Sequence, residues 1–302
     1  MKVTEGEDNQ MIQVKNENNQ RTKAILMILL AGVLWSTAGV LIKWISWNPV
    51  AIAGMRSGIA ALIILAYMKK PKIRWSKAAI AGALAYATTV ITFISANKFT
   101  TSANAILLQY TSPIYVLILG AWFLGERATR IDLVSVIFTI FGMILFFFDD
   151  LSGGNLWGNL LAILSGLSFA AMVMFLRKQK DSHPLESVLL GNIITAIIGL
   201  PFMFISIPTD AKSWSGLLLM GIFQLGLSYI LYAGAIKHVT ALEASLIPII
   251  EPILNPLWTF VLMGEVPGLW AFVGGMVVLG SVVGKYLYVL IQSKKNNVTV
   301  HR

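Results

Sequence analysis

ASLIPIIEPILNPLWTFVLMGE, residues 244–265, places three prolines, a glutamate and an asparagine inside a long apolar run. Each proline removes a helical hydrogen bond, and a carboxylate dissolves poorly in hydrocarbon. On a helical wheel of about 100° per residue, Glu251, Asn255 and the prolines share one face, and the aliphatic side chains share the other. We therefore expect a broken membrane helix whose polar face points away from lipid.

The prolines also determine which backbone groups of this helix need a partner. Each proline deprives the carbonyl four residues earlier of its N–H donor, which frees the carbonyls of Ala244, Pro248 and Pro252. An unsatisfied carbonyl in lipid costs several kcal/mol. These groups are therefore expected to face protein or a water-filled cavity.

The composition of the whole chain is that of an integral membrane protein. The 302 residues are 57% hydrophobic and 12% charged, with a mean hydropathy of +0.76, whereas soluble domains carry about 25% charged residues. The lack of cysteine excludes a disulfide scaffold and thiolate metal sites. The net charge is +9, and the charged residues lie between apolar segments. This placement indicates that they orient the membrane spans rather than bind nucleic acid.

Apolar stretches long enough to cross about 30 Å of hydrocarbon recur along the chain. They predict an all-α integral membrane fold with ten transmembrane helices. Residues 1–23 are polar and mixed in charge, and we expect a disordered cytoplasmic tail there; residues 292–302 are expected to form a second cytoplasmic tail. The predicted spans are 24–45, 49–68, 77–97, 103–124, 131–148, 157–176, 185–206, 214–236, 240–263 and 267–291.

Lysine and arginine predict the orientation of these spans. If the N-terminus lies in the cytoplasm, most of the 23 cationic residues fall in the tails and inner loops. The outer loops then hold only Lys43, Lys98 and Lys212. This positive-inside bias predicts that both termini are cytoplasmic.

The chain also contains an internal repeat. ANKFTT at 96–101 matches AIKHVT at 235–240, an offset of 139 residues. At the same offset, Pro113 matches Pro252, and the pair Gly125-Glu126 matches Gly264-Glu265. A weaker match relates 31–43 to 165–177. Each half, 24–148 and 157–291, has five predicted spans. Because five is odd, the second half enters from the opposite side, so we expect two inverted five-helix repeats, an arrangement that suits alternating access.

These residues carry a resemblance to a known family. AILLQYTSPIYVLILGAWFLGERATRIDLVSVIFTIFGMIL at 105–145 and its partner at 244–265 resemble the EamA repeats of the drug/metabolite transporter superfamily. GMRSGIAALII around Arg56 and VLWSTAGVLIK around Trp35 resemble the opening helices of the first repeat. The resemblance implies a ten-helix secondary transporter with a central cavity lined mainly by helices one, three and four and their counterparts six, eight and nine.

Two charged residues are candidates for transport chemistry. Glu251 lies about halfway along its span, where lost hydration opposes ionisation, so its protonation could be coupled to conformation or substrate. Alternatively it hydrogen-bonds a freed backbone group and fixes the helix break. Arg56 lies about 12 Å into the second span at 1.5 Å per residue and needs a carboxylate, carbonyls or an anionic ligand, or it snorkels. Glu251 is one candidate partner for it.

Further candidates are polar or aromatic residues of the presumed cavity helices. Gln109 and Ser112 lie one turn apart beside Pro113, and Ser112 stands where the second half has Glu251. Trp35 could stack on a substrate ring or simply pack, and Tyr229 could line the cavity or form an interhelical hydrogen bond. Tyr110 is expected to pack between helices. The predicted substrate or proton site is Glu251, Asn255, Gln109, Ser112, Trp35, Arg56 and Tyr229.

The leading interpretation of function is a secondary active transporter that exports small organic metabolites such as amino acids by alternating access, with proton coupling left open. A membrane channel is an alternative, and a membrane-embedded enzyme has less support because no catalytic set converges within the membrane. No P-loop is found. We expect no enzymatic activity, cofactor, metal or nucleic-acid partner. The expected partners are a small-molecule substrate and the lipid of the plasma (inner) membrane, with the chain a monomer or a homodimer.

Overall fold

The computed structural model describes residues 2–71, 75–148, 155–263 and 268–300. Within these ranges the regular structure is helical. The α-helices are α1 Lys2–Trp35, α2 Ala38–Trp44, α3 Pro49–Met68, α4 Lys77–Phe99, α5 Ser102–Gln109, α6 Ser112–Leu124, α7 Arg130–Phe146, α8 Leu156–Lys178, α9 Pro184–Met203, α10 Ala211–Leu219, α11 Ser228–Ala235, α12 Ala241–Leu246, α13 Ile250–Met263 and α14 Leu269–Val300. A π-helical segment, Met220–Leu227, joins α10 to α11, and a 3₁₀ turn, Ile247–Ile249, joins α12 to α13.

Several of these helices are long and apolar enough to cross a membrane. In the described ranges seven candidates meet both conditions: Asn16–Ile42, Pro49–Met68, Lys77–Phe99, Asn104–Leu124, Leu156–Lys178, Pro184–Met203 and Ala211–Ala235. The other three predicted spans, 131–148, 240–263 and 267–291, coincide with helices that are short or interrupted. They are α7 with 17 residues, the broken α12–α13 run, and α14, whose apolar part is Leu269–Lys285.

The N-terminal segment differs from the expected disordered tail, because α1 extends back to Lys2. The segment contains no proline, and glutamate, glutamine and lysine favour a helix. The side chain of Gln13 donates to Glu17 one turn later, at 3.4 Å. Farther along α1, Arg21 pairs with Glu243 at 2.5 Å and ties this helix to the start of α12.

Polar side chains at the helix starts fix where several helices begin. Thr101, Thr129 and Thr240 each accept a hydrogen bond from a backbone N–H in the first turn of the helix that follows. Asp210 caps α10 in the same way and accepts from the backbone N–H of Ser213 at 2.7 Å. The hydrogen bonds from Ser213 hold the pKa of Asp210 below its ordinary value.

The helices pack in pairs that join the two halves of the chain. The pairs are α1 with α11, α4 with α8, α3 with α9, and α7 with α14. In the third pair, a Cβ added to Gly54 would lie 2.7 Å from the Cα of Gly199. In the fourth, a Cβ on Gly274 would lie 2.2 Å from the backbone nitrogen of Phe146. Glycines therefore let the backbones of the two halves touch.

Candidate functional site

The helix break in the second half is held by tyrosines from other helices. The freed carbonyl of Ala244 accepts from the hydroxyl of Tyr232 at 3.0 Å, and the freed carbonyl of Pro248 accepts from the hydroxyl of Tyr110, also at 3.0 Å. Tyr232 lies on α11, and Tyr110 ends α5. For these two carbonyls, the prediction that the polar face turns toward protein is confirmed.

The wheel prediction is wrong for part of the opposite face. Leu246 and Ile249 are each only 1% exposed, although the wheel assigns them to the lipid side. The wheel assumes an unbroken α-helix of about 3.6 residues per turn, whereas the 3₁₀ turn at Ile247–Ile249 has about 3.0. Beyond the break, Leu257 is exposed at 46%, as the wheel predicts.

Glu251 is a buried carboxyl that faces the cavity. Its side chain is on the first turn of α13, and the residue is 7% exposed. Its Oε2 accepts from the hydroxyl of Tyr110 at 2.6 Å. Tyr110 thus bonds both the freed carbonyl of Pro248 and the carboxyl of Glu251. The expected packing of Tyr110 between helices is confirmed, and its hydroxyl in addition reaches the cavity.

The helix break in the first half makes different contacts. The chain leaves α5 at Gln109 and re-enters a helix at Ser112. The side-chain amide of Gln109 donates to the Oγ of Ser165 at 2.9 Å, and that hydroxyl donates to the carbonyl of Thr89 at 3.2 Å. The hydroxyl of Ser112 is buried and has no hydrogen-bond partner among the described residues.

Arg56 is 2% exposed, and its guanidinium reaches the cavity. Its Nη1 donates to the Oε1 of Gln224 at 2.7 Å. Gln224 lies in the π-helical segment, and the hydroxyl of Ser228 donates to its backbone carbonyl. Within the described ranges no carboxylate lies within 4.0 Å of Arg56, so the candidate pairing with Glu251 is not formed.

Aromatic side chains complete the site. The ring centroids of Trp35 and Tyr229 are 5.0 Å apart, and Phe169 meets the indole of Trp35 edge-on at 6.2 Å. The indole N–H of Trp35 donates to the Oγ of Ser228 at 2.8 Å, which fixes the ring. Tyr86 meets Tyr229 edge-on at 4.8 Å.

One cavity collects most of the predicted residues. Counting all the space that atoms do not occupy, including space open to solvent, it measures about 490 Å³. The side chain of the remaining predicted residue, Asn255, lies outside the described part of the structure. Residues from both halves surround the cavity. The predicted residues that line it are Trp35, Arg56, Gln109, Ser112, Tyr229 and Glu251.

Sequence reasoning missed other residues of the cavity wall. Tyr110, Thr89 and Phe169 line it. Phe169 carried a usable signal, because it stands opposite Trp35 in the weaker repeat match. Among the described residues, no group of three or more histidine or acidic side chains could hold a metal ion.

Comparison with known proteins gives two matches to one family. Residues 22–148 and 156–287 each match the EamA-like transporter family. Over 267 residues the chain is 24% identical to the pseudopaline exporter of Pseudomonas aeruginosa. This match covers 84% of this chain and 93% of the exporter. Over 195 residues it is 25% identical to an Escherichia coli protein named "probable amino-acid metabolite efflux pump", with coverages of 62% and 65%.

Two further comparisons extend over most of the chain. An uncharacterized transporter of Archaeoglobus fulgidus is 24% identical over 259 residues, which is 85% of this chain and 93% of that protein. A solved crystal structure matches with a TM-score of 0.76 at 16% identity and covers 89% of this chain and 98% of that chain. At this identity the match shows a shared fold.

Proposed function

We propose that this chain, which belongs to the EamA-like transporter family, is a secondary active transporter that exports small organic metabolites such as amino acids. Family membership and the names of its relatives make it a multi-pass membrane transport protein. The observation that carries the finer proposal is the cavity itself. Helices of both halves surround it, and it holds one carboxyl, Glu251, one guanidinium, Arg56, and the indole of Trp35.

Alternating access between two inverted five-helix repeats, 24–148 and 157–291, is the proposed mechanism. Two glycine contacts support it. Gly32 and Gly166 occupy matching positions of the weaker repeat, and each packs against the helix break of the other half, at Pro248 and Gln109 respectively. Pro248 and Gln109 are themselves related by the 139-residue offset. An exchange of the halves therefore maps one contact onto the other.

The helix pairing supports the same symmetry. If the halves exchange, the first span corresponds to the sixth and the third to the eighth, so the pair α1–α11 maps onto α8–α4. The pairs α3–α9 and α7–α14 each map onto themselves. Such an arrangement lets a transporter reach its two open forms by exchanging the conformations of its halves. In this proposal both termini are cytoplasmic and the protein lies in the plasma (inner) membrane.

Proton coupling through Glu251 is the remaining part of the proposal. The carboxyl is enclosed in the cavity and touches the helix break through Tyr110, so a change in its protonation alters a hydrogen bond that joins the two halves. Export as the direction is supported by the names of the Pseudomonas and Escherichia relatives.

Counterflow in liposomes tests the proposed function. The purified protein is reconstituted with a mixture of unlabelled amino acids inside, and each labelled amino acid is offered outside in turn. A transporter is expected to accelerate entry of at least one labelled amino acid when the inside is loaded. Entry at the same rate in empty liposomes would indicate a channel, chemical conversion of the label would indicate an enzyme, and no entry at all would contradict amino-acid transport.

A further inference from the structure

Arg56 is a buried cation without a counter-ion in the described part of the structure. The residue is 2% exposed, and its guanidinium forms one hydrogen bond there, from Nη1 to the neutral amide oxygen of Gln224. Its Nε has no partner among these residues. A guanidinium offers five N–H donors in a planar fork, so most of its donors are available.

A buried charge in this state is costly, and two other buried or half-buried cations among the described residues do not share it. Lys285, 5% exposed, pairs with Asp132 at 2.7 Å, and Arg177 pairs with Glu126 at 2.7 Å. Arg56 instead faces a cavity in which the nearest available acid, Glu251, bonds Tyr110 rather than the guanidinium. Buried cations are normally paired or bind an anion. The missing anion is thus expected to come from outside the chain.

The surroundings hold Arg56 in place without neutralising it. Gln224 is 4% exposed, and its backbone carbonyl accepts from Ser228, whose hydroxyl also accepts from the indole of Trp35. A π-helical segment inside an α-helical span is a feature that concentrates at functional sites. Here it brings the amide of Gln224 against the guanidinium. The chain Trp35–Ser228–Gln224–Arg56 links the aromatic wall of the cavity to its cation.

We propose that Arg56 binds the carboxylate of the transported metabolite and that the rings of Trp35, Phe169 and Tyr229 receive its apolar or planar body. This inference rests on the proposed transport function and names the substrate class for the same cavity. A planar guanidinium fork matches a carboxylate in a bidentate geometry. A phosphate dianion fits less well, because Glu251 lies in the same cavity and Arg56 is the one cation among the residues that line it.

Matched pairs of small probes test the carboxylate anchor. Purified full-length protein in detergent is titrated with phenylalanine, tryptophan, leucine and 3-phenylpropionate, and each is compared with its amide, which keeps the body and loses the carboxylate charge. Stabilisation against thermal unfolding reports binding. The carboxylates are expected to bind at least about 30-fold more tightly than their amides, since removing one member of a buried charged pair costs 2–5 kcal/mol or more.

Variants assign this preference to Arg56. Arg56→Gln is expected to bind carboxylate and amide equally, whereas Arg56→Lys keeps the sign of the preference with weaker binding. Lys285→Gln removes a buried cation outside the cavity and is the matched control, with the preference unchanged. If Arg56→Gln does not fold, Gln224→Leu provides the second variant, because it keeps the charge, removes the positioning amide and is expected to weaken carboxylate binding.

The outcomes separate this inference from the transport function. Equal binding and equal liposome counterflow of carboxylates and amides would overturn the anchor and leave transport intact. A carboxylate preference that persists in Arg56→Gln would also overturn it. Absence of binding by every carboxylate, together with absence of counterflow, would contradict both proposals.

Discussion

The two helix breaks are related by the internal repeat, yet they are held in different ways. In the first half, the hydroxyl of Thr111 donates to the carbonyl of Leu108 within the break between α5 and α6, at 2.6 Å, and the side chain of Gln109 donates to Ser165 of α8. In the second half, Tyr232 and Tyr110 hold the freed carbonyls, and Tyr110 comes from the first break. Each break therefore contacts the other half of the chain, and Tyr110 links the two breaks directly.

The two breaks also differ in whether they carry an acidic residue. Ser112 and Glu251 are repeat counterparts, but only Glu251 can ionise, and it bonds the tyrosine that joins the two breaks. One break thus carries the carboxyl, and the other carries the hydroxyl that donates a hydrogen bond to it. The comparison teaches that two helix breaks related by a sequence repeat can carry different polar groups at matching positions.

The largest expected effect comes from filling the glycine contact at the first break. A Cβ on Gly166 would lie 2.8 Å from the carbonyl oxygen of Gln109 and 2.9 Å from that of Leu108, and a backbone cannot easily move away. Gly166→Ala is expected to lower the free energy of unfolding by about 3 kcal/mol, at the upper end for overpacking. Thermal unfolding in detergent measures this.

Two alanine variants calibrate that result. Gly32→Ala, the counterpart at the second break, is expected to cost less, since its nearest contact is a side-chain methyl of Ile250 at 2.7 Å rather than backbone. Gly120→Ala meets Val116 at 3.9 Å and is expected to be tolerated. A larger loss for Gly32→Ala than for Gly166→Ala would contradict the expectation that contacts with backbone atoms are the less tolerant ones.

Removing the hydroxyl that joins the breaks has the next largest effect. Tyr110→Phe removes the hydroxyl that donates to the carbonyl of Pro248 and to the Oε2 of Glu251. Buried groups that lose a hydrogen-bond partner typically cost about 2 kcal/mol, so the unfolding transition is expected to move to lower temperature. Tyr115→Phe on α6 is the control and should leave the transition unchanged. Equal shifts in the two variants would show that the bridge contributes nothing.

The smallest effect is expected at Ser112, whose buried hydroxyl has no partner in the described residues. Ser112→Ala removes an unsatisfied group rather than a bond, so the free energy of unfolding is expected to change by less than about 1 kcal/mol. The same unfolding assay measures it. A loss as large as that of Tyr110→Phe would mean that Ser112 takes part in holding the first break.

The sequence was informative where the pattern is local. Three prolines spaced by four residues predict the freed carbonyls, and the repeat predicts that Gln109 and Glu251 approach one cavity. Arg56 was identified because a cation inside an apolar span demands an explanation. Sequence reasoning therefore identified the residues whose role follows from their spacing along a single helix.

Other features depend on backbone geometry that spacing does not encode. Tyr110 lies about 100° from Gln109 on an unbroken wheel, but the break at Tyr110–Thr111 turns its hydroxyl toward Glu251. The π-helical segment that brings Gln224 to Arg56 has no sequence mark that distinguishes it from an ordinary apolar helix. The helical wheel likewise does not account for the 3₁₀ turn at Ile247–Ile249, which changes the direction of the side chains around it.

The proton role of Glu251 is tested most directly by separating driven transport from exchange in liposomes that contain Glu251→Gln. Glutamine keeps the shape of the side chain and cannot ionise. The proposal predicts that transport driven by a pH gradient falls to background, while counterflow between labelled and unlabelled substrate, which needs no net proton movement, continues, and the unfolding temperature stays near that of the unchanged protein. Transport that still follows the pH gradient in this variant would contradict the account.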